Sequence, residues 1–233
     1  MYKIEFNGMT NEQVGVLIRE RPAIPAPEYR VTEQSIPGRD GSLYEIDGTV
    51  QDITITVAFT FACKPEEWQT RFRDARAWLL KRPGDRLCLD DDGGRYYRVK
   101  YVRVNQSERS VKEIGEFDAE FICDGYQYLM EGELALPPEQ AAYNPYDLCH
   151  PTYLLDGSGN CTLTVNGTAF QVLVLGKTVV NTDLMLAYLA EDGALVNTAV
   201  TGDYTALYLH PGENTIHVTD GYELEIVPNW RCM

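Results

Sequence analysis

Residues 52–61, DITITVAFTF, alternate without a break: Ile53, Ile55, Val57, Phe59 and Phe61 fall on one side, Thr54, Thr56, Ala58 and Thr60 on the other. A period of two is the mark of a half-buried β-strand, because successive side chains point to opposite faces of a sheet. A chain with such a strand must build a sheet covered on one face. EFDAEFIC, residues 116–123, repeats the pattern with Phe117, Ala119, Phe121 and Cys123 inward and Glu116, Asp118 and Glu120 outward. RYYRVKYVRV sets Tyr97, Val99 and Tyr101 opposite Arg98 and Lys100, then shifts parity to Val102 and Val104, which predicts a bulge near Tyr101.

Between these strands, residues 64–84 carry the signals of one amphipathic helix. Pro65 suits the first turn, Glu66 and Glu67 complement its positive end, Lys81 and Arg82 its negative end, and Pro83-Gly84 stops it. Trp68, Phe72, Ala75 and Leu79 make an apolar stripe that reads as core packing rather than a cofactor box.

The second half reads as all-β. CTLTVNGTAFQVLVL is two strands joined at Asn166-Gly167, the dipeptide favoured where both central residues of a tight turn need positive φ. LAEDGALV, LHPGENTIHV and DGYELEIVPNW continue a run of short strands and turns, predicting a β-sandwich of about a hundred residues. Charge divides the chain as well: residues 133–233 hold only Lys177 and Arg231 against 12 acidic residues. That shift falls at LALPPEQAAYNP, so a domain boundary is expected between residues 133 and 143, giving domains 1–135 and 143–233.

A formal net charge of -15 over 233 residues repels phosphate backbones and anionic lipid headgroups, which argues against sequence-specific nucleic-acid or membrane binding. No basic start precedes an apolar run, and no segment approaches the eighteen or so apolar residues of a membrane span, so neither a signal peptide nor an anchor is expected. Cys63, Cys88, Cys123, Cys149, Cys161 and Cys232 lie far apart without a CxxC pair, which reads as reduced thiols in a cytosolic product.

Catalytic signatures fail in turn. There is no GxSxG, HExxH, Walker or dinucleotide motif, and His150, His210 and His217 have no nucleophile at a family-like spacing. Asp90-Asp91-Asp92-Gly93-Gly94 lacks the acidic ligand of a calcium loop, since the twelfth position is Tyr101; a hairpin tip is expected instead. No metal and no cofactor are expected. IPGRDG is open to three readings. Pro37 and Gly38 suit a type II turn, Gly41 releases the chain into the next strand, and Arg39 beside Asp40 could face a protein neighbour or, less fittingly, an anion.

The order of these pieces resembles the N-terminal domain of siphophage distal tail proteins: EFNGMT, PAIPAPEYR, IPGRDGSLYEIDGTVQDITITVAF, the Trp-bearing helix, then paired strands. NPYDLCHPTYLLDGSGNCTLTVNG, Tyr204 in GDYTALYLHPGENTIHV, and the final EIVPNW look like the galectin-like or carbohydrate-module-like C-terminal domain of the same family. The resemblance spans nearly the whole chain, with the PGRDG loop and the strand after it as its most specific element. It implies a mainly β, non-enzymatic structural protein: a ring-forming, β-rich N-terminal domain with one helix, and a galectin-like sandwich that projects outward. It further implies a homohexamer joining the tail tube protein to the tail hub (tail-associated) protein and the receptor-binding protein, assembled in the bacterial host cytoplasm and carried at the virion tail tip. Pro37, Gly38, Arg39, Asp40 and Gly41 are then the expected subunit or tube contact.

Two other classes stay open at this point. A carbohydrate-binding module recognising host cell-wall sugars would use Tyr204 and Tyr222 as a platform, with Tyr208 and Trp230 read as core. A wall hydrolase would need paired carboxylates, and no pair stands out.

Overall fold

The alternating strand at residues 52–61 becomes the inner part of a large antiparallel sheet in the computed structural model, which describes residues 2–80, 86–105 and 108–233. Two compact units divide the chain, one reaching Gln127 and the other running from Tyr128 to Cys232.

The first unit contains β1 (Ile4–Phe6), β2 (Met9–Thr10), the one-turn α1 (Asn11–Val14), β3 (Leu17–Ile18), β4 (Tyr29–Ser35), β5 (Ser42–Val50) and β6 (Ile53–Ala62). These are followed by α2 (Trp68–Leu80), β7 (Arg86–Leu89), β8 (Arg95–Val104), β9 (Glu108–Val111) and β10 (Ile114–Leu129), whose last two residues enter the second unit. The main sheet runs β2-β1-β7-β8-β10-β6-β3, with β9 also on β10. β6 and β10 pair in unbroken antiparallel register from Cys123 opposite Ile53 to Ile114 opposite Ala62. Both strands send their apolar residues to one face, and Ile55, Val57, Phe59, Ala119 and Phe121 are fully buried there.

α2 covers that face. Trp68, Ala75 and Leu79 are buried as the stripe predicts, and Phe72 is half-buried. Trp78 is buried too, although it lies off the expected stripe: its ring meets Phe6 and Phe59 edge-on and its Nε1 donates to the Phe6 carbonyl at 2.7 Å. Each large side chain buried here contributes roughly 1.5–3 kcal/mol, so the sheet, more than propensity, holds the helix. The helix is shorter than residues 64–84; Lys64 to Glu67 form a turn leading into it. The stop expected at Lys81, Arg82, Pro83 and Gly84 lies outside the described residues.

Tyr101 departs from its expected inward face. It is half exposed, with the Arg103 guanidinium 5.9 Å from its ring, while Val102 and Val104 pack against the core. The parity shift thus precedes Tyr101. Asp90–Gly94 forms the tip between β7 and β8, as expected, and is tied down: Asp91 accepts from the Tyr2 hydroxyl at 2.5 Å and from Arg21. Those hydrogen bonds hold the Asp91 carboxyl below its ordinary range.

The second unit packs two four-stranded antiparallel sheets around one core. α3 (Pro138–Ala141) and β11 (Tyr143–Asn144) lead into β12 (Thr152–Asp156), β13 (Ser158–Val165), β14 (Thr168–Leu175), β15 (Thr178–Asn181) and β16 (Leu186–Leu189). Then come β17 (Val200–Thr201), β18 (Gly212–Glu213), β19 (Ile216–Val218), β20 (Glu223–Val227) and β21 (Arg231–Cys232). One sheet runs β16-β15-β12-β20, the other β17-β14-β13-β19; Tyr153, Leu155, Leu163, Phe170 and Ile226 fill the space between. Asn166 and Gly167 both take positive φ between Val165 and Thr168, which face each other across the hairpin, as the dipeptide predicts. LAEDGALV is mainly a turn, not a strand pair: beyond Leu189 only an isolated bridge, Leu195 to Tyr188, continues it.

The segment expected as an interdomain boundary lies inside the second unit. Leu136 bridges to Ile226, Pro138 opens α3, where its missing N–H costs nothing, and Ala141 is buried. The prolines there start a helix instead of marking a linker, and the units part at Gln127 and Tyr128.

Candidate assembly surface

β4 and β5 form a two-stranded ribbon that hydrogen-bonds to no other strand among the described residues, and all seven residues of β4 are exposed. Register gives it two unlike faces. Val31 lies opposite Ile46 and Glu33 opposite Tyr44, so Val31, Tyr44 and Ile46 share one face with Glu33, while Tyr29 lies opposite Val50 beyond a shift in register. Thr32, Gln34, Leu43 and Glu45 occupy the other. Tyr44 and Ile46 are 62% and 60% exposed, values that would be unusual for an apolar face meant to stay in water. An isolated hairpin is marginally stable at best, because it buries little apolar area. Here the strands are helped by a β5 irregularity in which Asp47 accepts from Thr49 N and Oγ1 at 2.8 and 2.6 Å, with Gly48 at positive φ.

IPGRDG is the tip of this ribbon. Arg39 N donates to the Ile36 carbonyl at 3.2 Å and Gly38 has φ of 82°, the geometry of a type II turn with Pro37 second and Gly38 third. Gly41 also takes positive φ. Arg39 and Asp40 are exposed, and no ion pair joins them among the described residues. GSLYEIDG forms most of β5 in this ribbon, whereas β6, only two residues beyond β5, belongs to the main sheet.

The outward face of the main sheet is polar and laced with ion pairs. Arg19 bridges Glu116 and Asp118 at 3.1 and 3.0 Å, Arg103 reaches Glu120 at 2.8 Å, and Lys100 lies between Asp52 and Asp124 at 2.6 and 2.9 Å. Such exposed pairs add little stability each, typically under about 1 kcal/mol.

Tyr204 and Tyr222, the residues expected as a sugar platform, pack against different neighbours. Tyr204 packs edge-on against Phe170 at 5.2 Å, and its hydroxyl is shielded from solvent. Tyr222 covers Gly157 and Gly159, and its hydroxyl lies 3.2 and 3.1 Å from the Ser158 and Asn160 carbonyls. Trp230 is buried beside Tyr146, and Tyr208 stacks on His150 at 4.0 Å. His150 itself is held between Asp183 Oδ1 and Arg231 Nη2, each 3.0 Å away. Since Arg231 donates to Nε2, the remaining ring proton sits on Nδ1 and points to Asp183. No metal-holding group of three or more His, Cys, Asp or Glu occurs among the described residues.

No family model and no curated protein matches this chain. Its structure, however, superposes along its full length on the crystal structure of SPP1 Dit (gp 19.1), titled a paradigm of the hub adsorption apparatus in phages infecting Gram-positive bacteria, with a TM-score of 0.68 and coverage of 100% of both chains. The chain has the phage distal-tail-protein fold. Sequence identity is only 13%, so what the two share is the β-rich architecture. A fold can persist at such identity because alternation and turn chemistry, not particular side chains, dictate the sheets.

Proposed function

We propose that this chain is a structural component of a phage or prophage tail tip, a distal tail protein whose first unit assembles into a hexameric ring between the tail tube and the hub. The observation that carries this reading is the distal-tail fold over the full length of the chain, joined to an exposed ribbon whose Val31, Tyr44 and Ile46 have no cover among the described residues. In the ring, Val31, Tyr44 and Ile46 pack against a neighbouring copy, and Pro37 to Gly41 at the ribbon tip touch that copy or the tail tube. The second unit is a galectin-like sandwich that serves the receptor-binding apparatus. The charge balance fits a part past which DNA must move without adhering.

Electron microscopy of the purified chain, alone and with its tube and hub proteins, tests the reading. Six-fold rings are expected. A chain that stays monomeric at high concentration and in the presence of both partners would overturn it.

A further inference from the structure

The face of the β16-β15-β12-β20 sheet turned away from the core carries a groove of about 380 Å³. Register places Leu154 between Val179 and Glu225, with Asp156 opposite Glu223 in the next row. Val179 is only 3% exposed, covered by its neighbours, yet belongs to neither hydrophobic core. Around this apolar floor stand Asp156, Glu223, Glu225 and Lys177. Lys177 pairs with Asp156 at 3.9 Å, whereas neither Glu223 nor Glu225 has an ion-pair partner among the described residues.

An apolar floor beneath unpaired carboxylates suits a long side chain with an aliphatic stem and a cationic head. Arginine fits best, because its stem can lie on Leu154 and Val179 while its guanidinium reaches carboxylates with two parallel hydrogen bonds. A sugar fits less well, since no aromatic ring lines the groove to stack against. We propose that the groove receives an arginine side chain from an extended segment of another protein. That this protein is a further tail component rests on the function proposed above; the chemistry of the groove does not.

The test is a titration of the isotope-labelled full chain, in roughly 0.1 M salt to screen diffuse attraction. The probes are a capped pentapeptide with a central arginine, the same peptide with neutral citrulline, and a tetramer of N-acetylglucosamine. The arginine peptide should shift the amides of residues 154–156, 177–179 and 223–225 saturably. Citrulline should bind at least tenfold more weakly, and so should the arginine peptide to the E223Q/E225Q double variant, whose remaining spectrum should be unchanged. Equal binding of the two peptides, shifts scattered over the acidic surface, or saturable binding of the sugar at these amides would each overturn the proposal. Oligomer mass measured on the same samples bears only on the ring, so the two readings can fail separately.

Discussion

Gly125 on β10 lies directly against Gln51 at the root of the ribbon: a Cβ there would come to 2.3 Å from the Gln51 carbonyl oxygen and 2.4 Å from the Val50 side chain. The first contact is with backbone, which cannot swing aside as a side chain can. The close approach of the ribbon's root to β10 therefore needs a residue without a side chain at this position. Gly125→Ala should destabilise the first unit by about 1–3 kcal/mol through overpacking and re-aim the ribbon. Urea unfolding and light scattering should together show a folded protein with impaired assembly; an unchanged midpoint would show that the root relaxes freely.

The ribbon face makes a sharper prediction. Tyr44→Glu with Ile46→Glu alters only exposed positions, so folding stability should change by about 0.5 kcal/mol or less. Oligomerisation should be lost. The tip pair, Arg39→Ala with Asp40→Ala, should likewise leave the fold intact and weaken assembly or tube joining, read by sedimentation across concentration. Normal assembly of the tip variant would reduce IPGRDG to a turn.

The two helix tryptophans should differ in what their loss does. Trp68→Ala removes a buried ring packed on Phe61 and should cost about 3–5 kcal/mol. Trp78→Phe keeps most of the apolar volume but strips the donor from the Phe6 carbonyl, a loss of about 1–3 kcal/mol. Denaturant midpoints of the two variants against the parent check both.

Thiol chemistry should sort the cysteines by burial. Burial pushes the Cys123 thiol up to about 12 and that of Cys149 up to about 11, and raises Cys161 as well. At pH 8, iodoacetamide should spare these three in the native protein and label them after denaturation, as mass spectrometry can count. The sign for stability follows. Between the ordinary thiol value of 9.0 and the folded values, the unfolded chain loses protons that the folded chain keeps, so stability falls as pH rises through that window. Cys123→Ala with Cys149→Ala should flatten the alkaline loss.

Much of this molecule is legible in its residues because local rules act alone there. Alternation at Ile53–Phe61 and Phe117–Cys123 states which face is covered, and the positive φ at Asn166-Gly167 and Gly38 follows from steric rules that hold within a few residues. Wherever the outcome depends on what approaches from elsewhere in the chain, only the tertiary structure decides. Trp78 is buried against Phe6 and Phe59 with its indole N–H met by the Phe6 carbonyl, Pro138 starts a helix two residues after Leu136 bridges to Ile226, and Tyr204 turns edge-on to Phe170, with its hydroxyl shielded from solvent, where sequence could only see an aromatic. The same holds for the two surfaces on which function is proposed. Periodicity reports that a strand has an apolar side, but whether that side meets the core, as at Val57, or faces water, as at Ile46, depends on which sheet the strand joins, and pairing between distant segments makes that choice.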